Sequence, residues 1–142
     1  MNDLQIFSNE DFGEVRTIEK NNKGTYLGFF YVLEYGDLVK IGSTKNPYQR
    51  ISALMREATN YNNHAIGRFA LSEPHTNYTE NEKILHKAFA SCRKTGTELF
   101  DISFDEVVGN DIELEYKDET EEIKNHSDKF FNMMKGFILG GA

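Results

Sequence analysis

Two short stretches of the sequence carry side chains whose types and spacing suit phosphate chemistry. The first contains a phenol, an ammonium group and a guanidinium, from Tyr31, Lys40 and Arg50. The second contains Glu82 and His86, which are four residues apart and would share one edge of a helix. Hydrolysis of a phosphodiester needs a positioned water, a counter-charge for the phosphate and stabilisation of the leaving oxygen. A divalent cation held by an acidic residue can provide the last of these.

The first stretch is predicted to be a tight β-hairpin. Two runs of mostly β-branched or aromatic residues, 29–33 and 38–41, flank Tyr35-Gly36, which is typical of a two-residue turn. With that turn, Tyr31 would lie opposite Lys40. Because side chains alternate along a strand, Tyr31 and Lys40 should share one face of the hairpin. The opposite face, towards the core, should carry Phe30, Val32, Val39 and Ile41.

The two helices that follow would position the other candidate groups. Asn46-Pro47 is a good helix start, so a helix over residues 47–58 should carry Arg50 in its first turn. A second helix is predicted over residues 78–92. Its start has two capping-box patterns, one from Asn77 and one from Thr79. The earlier start, which we favour, frees Glu82 for a functional role.

The remaining elements complete an α+β prediction: a small, mainly antiparallel three-stranded sheet with packed helices. A third strand is expected over residues 65–71, a strand-like return over 97–102 and a helix after the capping box at Ser103. Outside this unit, two alternating segments, 4–7 and 14–19, predict an N-terminal hairpin. Apolar residues at helical spacing predict an amphipathic helix over residues 118–139.

The two stretches together resemble the core of the GIY-YIG endonucleases, in particular their viral and phage branch. The resemblance covers roughly residues 26–103. It rests on Phe30-Tyr31, on Lys40-Ile41-Gly42-Ser43-Thr44, on Arg50 six residues later and on Glu82-Lys83-Ile84-Leu85-His86. Two positions depart from the family pattern. Lys40 replaces the tyrosine of the second motif, and Phe29 replaces the leading glycine of the first.

The resemblance implies a phage or prophage endonuclease that hydrolyses DNA with Mg²⁺ or Mn²⁺. Tyr31 would position or activate the water, Arg50 would bind the phosphate and Glu82 would hold the metal. Lys40 would favour the phenolate of Tyr31, and His86 would donate a proton or contact phosphate. DNA contacts are also expected from Lys45 and Arg56.

Each assignment has a purely structural alternative. Tyr31 and Lys40 would then be an ordinary cross-strand pair, and Arg50 a solvated helix-edge residue paired with Glu57 or Glu34. His86 would be a partly buried helix residue. The corresponding function is a non-catalytic nucleic-acid-binding regulator, or a phage counter-defence protein that acts through protein contacts.

The flanks suggest how the chain is organised around this core. We expect a leader in residues 1–24, the nuclease-like domain in 25–116 and a C-terminal helix in 117–142. Residues 4–18 are similar to the opening of phage antirepressor (BRO-type) N-terminal domains. The C-terminal helix could join two copies into a homodimer. Because no specificity module is evident, a protein partner could supply site choice.

The acidic net charge argues against a nucleic-acid partner, but the uneven distribution of charge weakens that argument. The net charge is −7, but residues 38–100 hold 9 Lys/Arg and 5 Asp/Glu, a balance of +4, so the acidity lies in the flanks. Because Cys92 is the single cysteine, an internal disulfide is impossible and a reducing compartment is favoured. Its side chain should be buried and fill space in the core. No membrane span or signal peptide is predicted, which points to the cytoplasm. His64, His75 and His126 should be surface residues.

Overall fold

The computed structural model describes residues 4–60 and 65–116, and within them the chain forms an α+β fold around a five-stranded antiparallel sheet in the order β1-β4-β2-β3-β5. The predicted C-terminal helix, His64 and His126 lie outside the described residues. The elements are β1 (Gln5–Phe7), α1 (Phe12–Asn22), β2 (Phe29–Tyr35), β3 (Leu38–Thr44), α2 (Pro47–Asn60), β4 (Ile66–Leu71), α3 (Tyr78–Ala88), β5 (Leu99–Phe100) and α4 (Phe104–Val108).

The central strand β2 is covered on both faces, which explains its unbroken apolar sequence. On one face, Tyr31 and Leu33 belong to a core that also contains side chains of α1 and α2. On the other face, a second core joins the sheet to α3 and α4 and contains Phe30, Val32, Val39 and Ile41. The predicted core face of the hairpin is therefore confirmed. Lys40 pairs with Leu33 and so shares the face of Tyr31, also as predicted.

The pairing register of the hairpin differs from the prediction by two residues. The loop residues are Gly36 and Asp37, Tyr35 pairs with Leu38, and Tyr31 lies opposite Gly42 rather than Lys40. Gly36 has φ +60°, which suits the first position of a tight hairpin turn. The predicted cross-strand pairing of Tyr31 with Lys40 is therefore wrong. A shift of two residues preserves the faces because side chains alternate.

The N-terminal segment is a strand followed by a helix, so the predicted hairpin is wrong. Residues 5–7 form β1, which pairs with β4, whereas residues 14–19 lie within α1. Val15 and Ile18, three residues apart, pack against the core from one side of α1. With β1 and β5 added at its edges, the sheet has five strands instead of the expected three.

The start of α3 is anchored by a buried histidine, which corrects the expectation that His75 is a surface residue. His75 is fully buried; its Nδ1–H donates to the carbonyl of Glu73 at 2.8 Å, and its Nε2 accepts from the amide of Asn81 at 3.0 Å. Burial lowers the pKa of His75, so the ring stays neutral. Because α3 begins at Tyr78 after Asn77, the favoured earlier start is confirmed and Glu82 lies inside the helix.

The end of α3 differs from the prediction. The α-helix stops at Ala88, and residues 90–92 form a short 3₁₀ turn. The apolar residues of this segment predict a core-facing side made of Ile84, Leu85, Ala88, Phe89 and Cys92. Leu85 and Phe89 are buried as predicted, but Ile84 and Ala88 are exposed. Cys92 is partly buried. At the start of α4, the hydroxyl of Ser103 accepts from the amide of Glu106, as the capping box predicts.

Candidate active site

The first part of the candidate site is a contact between β2 and the first turn of α2. The Nε of Arg50 donates to the hydroxyl of Tyr31 at 3.3 Å. This contact raises the pKa of Arg50, so its guanidinium is charged throughout the physiological range. Of the two alternative partners for Arg50, Glu34 is taken by Arg68 at 2.9 Å. Glu57 lies close enough for its charge to raise the pKa of Arg50 further.

Tyr31 occupies space that only a glycine opposite it can provide. Its side chain is 1% exposed, and a Cβ built on Gly42 would lie 2.3 Å from the phenol oxygen and 2.5 Å from the adjacent ring carbon. This close contact places the phenol oxygen against Gly42 of β3, the residue before Ser43. Gly42 therefore fixes where the hydroxyl of Tyr31 can be.

We expect Gly42→Ala to lower both stability and any activity of this site. The methyl group overlaps the Tyr31 hydroxyl, and forcing extra volume into a packed site costs about 1–3 kcal/mol. The measurement is the free energy of unfolding in urea, with Gly13→Ala as the matched control. Gly13 lies in α1 with no atom within 4 Å of a built Cβ, so alanine there should stabilise the protein slightly. Equal stability of the two variants would contradict the packing argument.

The second part of the site holds the carboxylate of Glu82. The hydroxyl of Ser43 donates a hydrogen bond to its Oε2, and the Nε2 of His86 lies 3.7 Å from its Oε1. Since a carbonyl only accepts, the 2.8 Å contact between His86 Nε2 and the carbonyl of Ile41 places the ring hydrogen on Nε2. His86 thus ties α3 to β3, while Ser43 orients the carboxylate.

The third part is a cleft beside Arg50. It has a volume of about 510 Å³, and its lining includes Arg50, Lys40, Glu57 and Glu98. The ammonium of Lys40 lies 3.7 Å from a carboxylate oxygen of Glu98, with the Lys40 side chain 17% exposed. Lys40 therefore has an acidic partner within the cleft instead of facing Tyr31 directly.

These parts meet at the C-terminal end of β3, beyond the residues that pair with the short strand β5. Burial raises the pKa of the Tyr31 phenol, Arg50 opposes this rise, and the carboxylates of Glu98 and Glu82 add to it. The phenol of Tyr31 contacts Gly42, and Glu82 contacts the next residue of β3, Ser43. Arg50 and Tyr31 lie on one face of the sheet, and Glu82 reaches Ser43 from the other. The structure brings Tyr31, Lys40, Arg50, Glu82 and His86 together in one region.

A model of the T5orf172 domain matches residues 28–127, which is more than half of the chain. The chain belongs to the T5orf172 domain family. This is a phage-associated, nuclease-like domain, and the matched range contains every residue of the site described above. No curated protein matches the chain, and neither does any solved structure.

Two further charged residues of the T5orf172 domain were predicted to contact DNA, and both are exposed. Lys45 is exposed directly after β3, and Arg56 is exposed on α2. Their expected contacts with DNA stay predictions. None of the helices in residues 4–60 and 65–116 has the length and apolarity needed to cross a lipid bilayer.

Ser43 is not among the residues predicted as functional, whereas Glu98 resembles a recurring feature of the viral branch, with fixation of the loop as the alternative role. Ser43 follows Ile41 by two residues on the same face of β3, and this position is the signal that places it beside α3. Glu98 lies just before β5, and its backbone carbonyl accepts from the amide of Ile41 at 3.2 Å. That pairing of β3 with β5 is long-range and has no local sequence signal.

The residues around Glu82 suit a hydrated magnesium-type ion. Mg²⁺ is commonly bound through one or two carboxylates and keeps several waters. In the described part of the chain no three His, Cys, Asp or Glu residues cluster as a metal site. Glu82 is the carboxylate of α3 that the hydroxyl of Ser43 contacts, and its side chain is 15% exposed. A single accessible carboxylate fits an ion that completes its shell with water and phosphate oxygens.

Proposed function

We propose that this T5orf172 domain is a GIY-YIG-type endonuclease of phage or prophage origin that hydrolyses DNA with Mg²⁺ or Mn²⁺. The observation that carries the proposal is the direct Arg50–Tyr31 contact, with the Glu82 carboxylate bound by Ser43, the residue that follows the Gly42 contacted by Tyr31. A guanidinium, a hydroxyl and a carboxylate at one sheet edge provide the groups that phosphodiester hydrolysis needs.

In the proposed reaction, Arg50 holds the phosphate and Tyr31 positions the attacking water. The guanidinium of Arg50 can bind two phosphate oxygens and counter the charge that develops on them. Because the pKa of Tyr31 is raised, its phenol keeps its proton at neutral pH. The phenol would therefore orient the water through a hydrogen bond. It would not act as the phenolate that Lys40 was expected to favour.

The other groups of the site support these two residues. Lys40 adds a second positive charge to the cleft for the phosphate, and Glu98 holds it in place until substrate binds. Glu82 would hold the metal ion, which supplies charge stabilisation for the leaving oxygen. His86 keeps Glu82 and β3 in register through the carbonyl of Ile41.

The test is cleavage of supercoiled plasmid and of a labelled linear duplex by the purified chain. We expect nicked or linear products with Mg²⁺ or Mn²⁺ and none with EDTA. DNA that is bound in a salt-dependent way but left uncut under all these conditions would contradict the enzyme and favour a nucleic-acid-binding regulator. Absence of both binding and cleavage would favour a role in protein contacts.

Replacing Ser43 should change the metal requirement more than the fold. In Ser43→Ala the Glu82 carboxylate loses its hydroxyl donor and is less well oriented. We expect the Mg²⁺ concentration for half-maximal cleavage to rise about tenfold, with a smaller change at saturating Mg²⁺. Ser43→Thr keeps the hydroxyl and is the matched control. An unchanged Mg²⁺ requirement in the alanine variant would show that Ser43 does not position the ligand.

A further inference from the structure

Tyr26 is an aromatic side chain displayed on the surface next to the proposed site. It lies between α1 and β2 and is 50% exposed, whereas its neighbours Leu27 and Gly28 are buried. An exposed ring at the edge of a nuclease-like site suits a ligand with a flat π-face. Nucleic-acid bases have such a face, and stacking on aromatic rings is how unpaired bases are commonly bound.

The segment that carries Tyr26 is rigidly held. The amide of Asn22, which is 7% exposed, donates to the carbonyl of Leu27 at 2.9 Å and to that of Lys45 at 3.4 Å. The hydroxyl of Thr25 donates to both the backbone and side-chain oxygens of Asn22, at 2.9 and 2.8 Å. Tyr26 is therefore presented in a fixed position, so binding a base would cost little ordering of this segment.

A cation accompanies the exposed ring. The ammonium of Lys45 lies over the ring of Tyr26, 5.9 Å from its centroid, and donates to the carbonyl of Thr25 at 3.5 Å. Lys45 is itself exposed. Its long side chain can move from the ring to a phosphate, so one nucleotide could stack its base on Tyr26 while its phosphate binds Lys45.

The position of this pair in the chain relates it to the proposed site. Lys45 follows Gly42, which the phenol of Tyr31 contacts, by three residues. A base on Tyr26 would thus lie on the side of the site where β3 ends.

We propose that Tyr26 and Lys45 form a stacking platform for one unpaired base beside the cleaved bond, so that the preferred substrate is DNA with a single-stranded segment. The location of this platform beside a cleaved bond rests on the proposed function, whereas its binding of an unpaired base does not. The platform would favour single-stranded ends, flaps or bubbles over continuous duplex.

The test measures binding with EDTA present, so that cleavage cannot interfere. Fluorescence anisotropy is recorded for a 12-nucleotide single strand and for the matched duplex, and a strand containing 2-aminopurine reports stacking. Tyr26→Ala should weaken binding of the single strand about tenfold, which is within the range of one lost stack. It should change duplex binding less than twofold and remove the quenching of 2-aminopurine. Tyr26→Phe should behave like the wild type.

Ile84→Ala provides a control at another exposed apolar residue, on α3, and should change neither readout. Unaltered single-strand affinity in Tyr26→Ala, equal losses on single strand and duplex, or no single-strand binding by the wild type would each overturn the platform. Cleavage in Mg²⁺ is measured separately on the same proteins. Single-strand binding that depends on Tyr26, without any cleavage, would contradict the proposed function alone. Cleavage by a protein whose single-strand binding does not depend on Tyr26 would contradict the platform alone.

Discussion

Glu82→Gln should abolish Mg²⁺-dependent cleavage, lowering its rate a hundredfold or more. Glutamine keeps the size of the side chain and an oxygen that can accept from Ser43, but it lacks the charge that a divalent cation requires. Loss of one electrostatic stabiliser of a transition state typically costs about 10²–10³-fold. The measurement is single-turnover cleavage across a Mg²⁺ titration, with thermal unfolding recorded to show that the fold is intact.

Glu80→Gln is the matched control because Glu80 lies on the same helix two residues earlier and is exposed. It should cleave at the wild-type rate. If Glu82→Gln were as active as Glu80→Gln, the carboxylate would have no part in the chemistry and the proposed metal position would be wrong. A variant that binds DNA normally without cutting it would agree with the proposal.

Arg50→Ala should reduce kcat/KM for DNA cleavage by about 10³-fold, the lower end of what an arginine on a transferring phosphoryl group contributes. The change removes both the charge for the phosphate and the donor to the Tyr31 hydroxyl. Arg50→Lys keeps the charge but loses the planar fork, so it should recover only part of the activity. The rates are measured at saturating Mg²⁺ on one defined duplex.

Arg56→Ala gives the comparison on the same helix. Arg56 is exposed, and as a DNA contact it should affect KM and the salt dependence with little change in kcat. Equal effects of Arg50→Ala and Arg56→Ala on kcat would mean that Arg50 acts only as a general phosphate contact. The assignment of Arg50 to the reacting phosphate would then be wrong.

The parts of the fold with strong local signals were predictable from the sequence. The hairpin faces, the start of α2 at Pro47 and the start of α3 at Tyr78 follow from alternation and capping. The segment 14–19 was predicted as a strand because Val15, Thr17 and Ile18 are β-branched, but the three-residue spacing of Val15 and Ile18 suits one side of a helix. Tertiary packing on β2 and α2 decides between them, and that information is not local.

The geometry around the candidate residues was only partly predictable. The motif spacing predicted Tyr31, Arg50 and Glu82 as site residues, and their roles stay predictions; the structure places their side chains at one end of β3. The partner of Lys40 was not predictable because it depends on the turn at Gly36 and on Glu98, which arrives with β5. Likewise, the role of Ser43 emerges only when α3 is packed against the sheet.

The pairing of β1 with β4 has a practical consequence for anyone who produces the isolated domain. A protein trimmed to begin at Gly28, where the family match starts, would lack β1 and α1 and leave the edge of β4 open. Phe69, which stacks on Phe7 with ring centroids 5.4 Å apart, would be uncovered along with its unpaired backbone. Open, apolar strand edges pair with other chains. Such a fragment should therefore precipitate or form inclusion bodies, whereas a chain that begins at or before residue 5 should stay in solution.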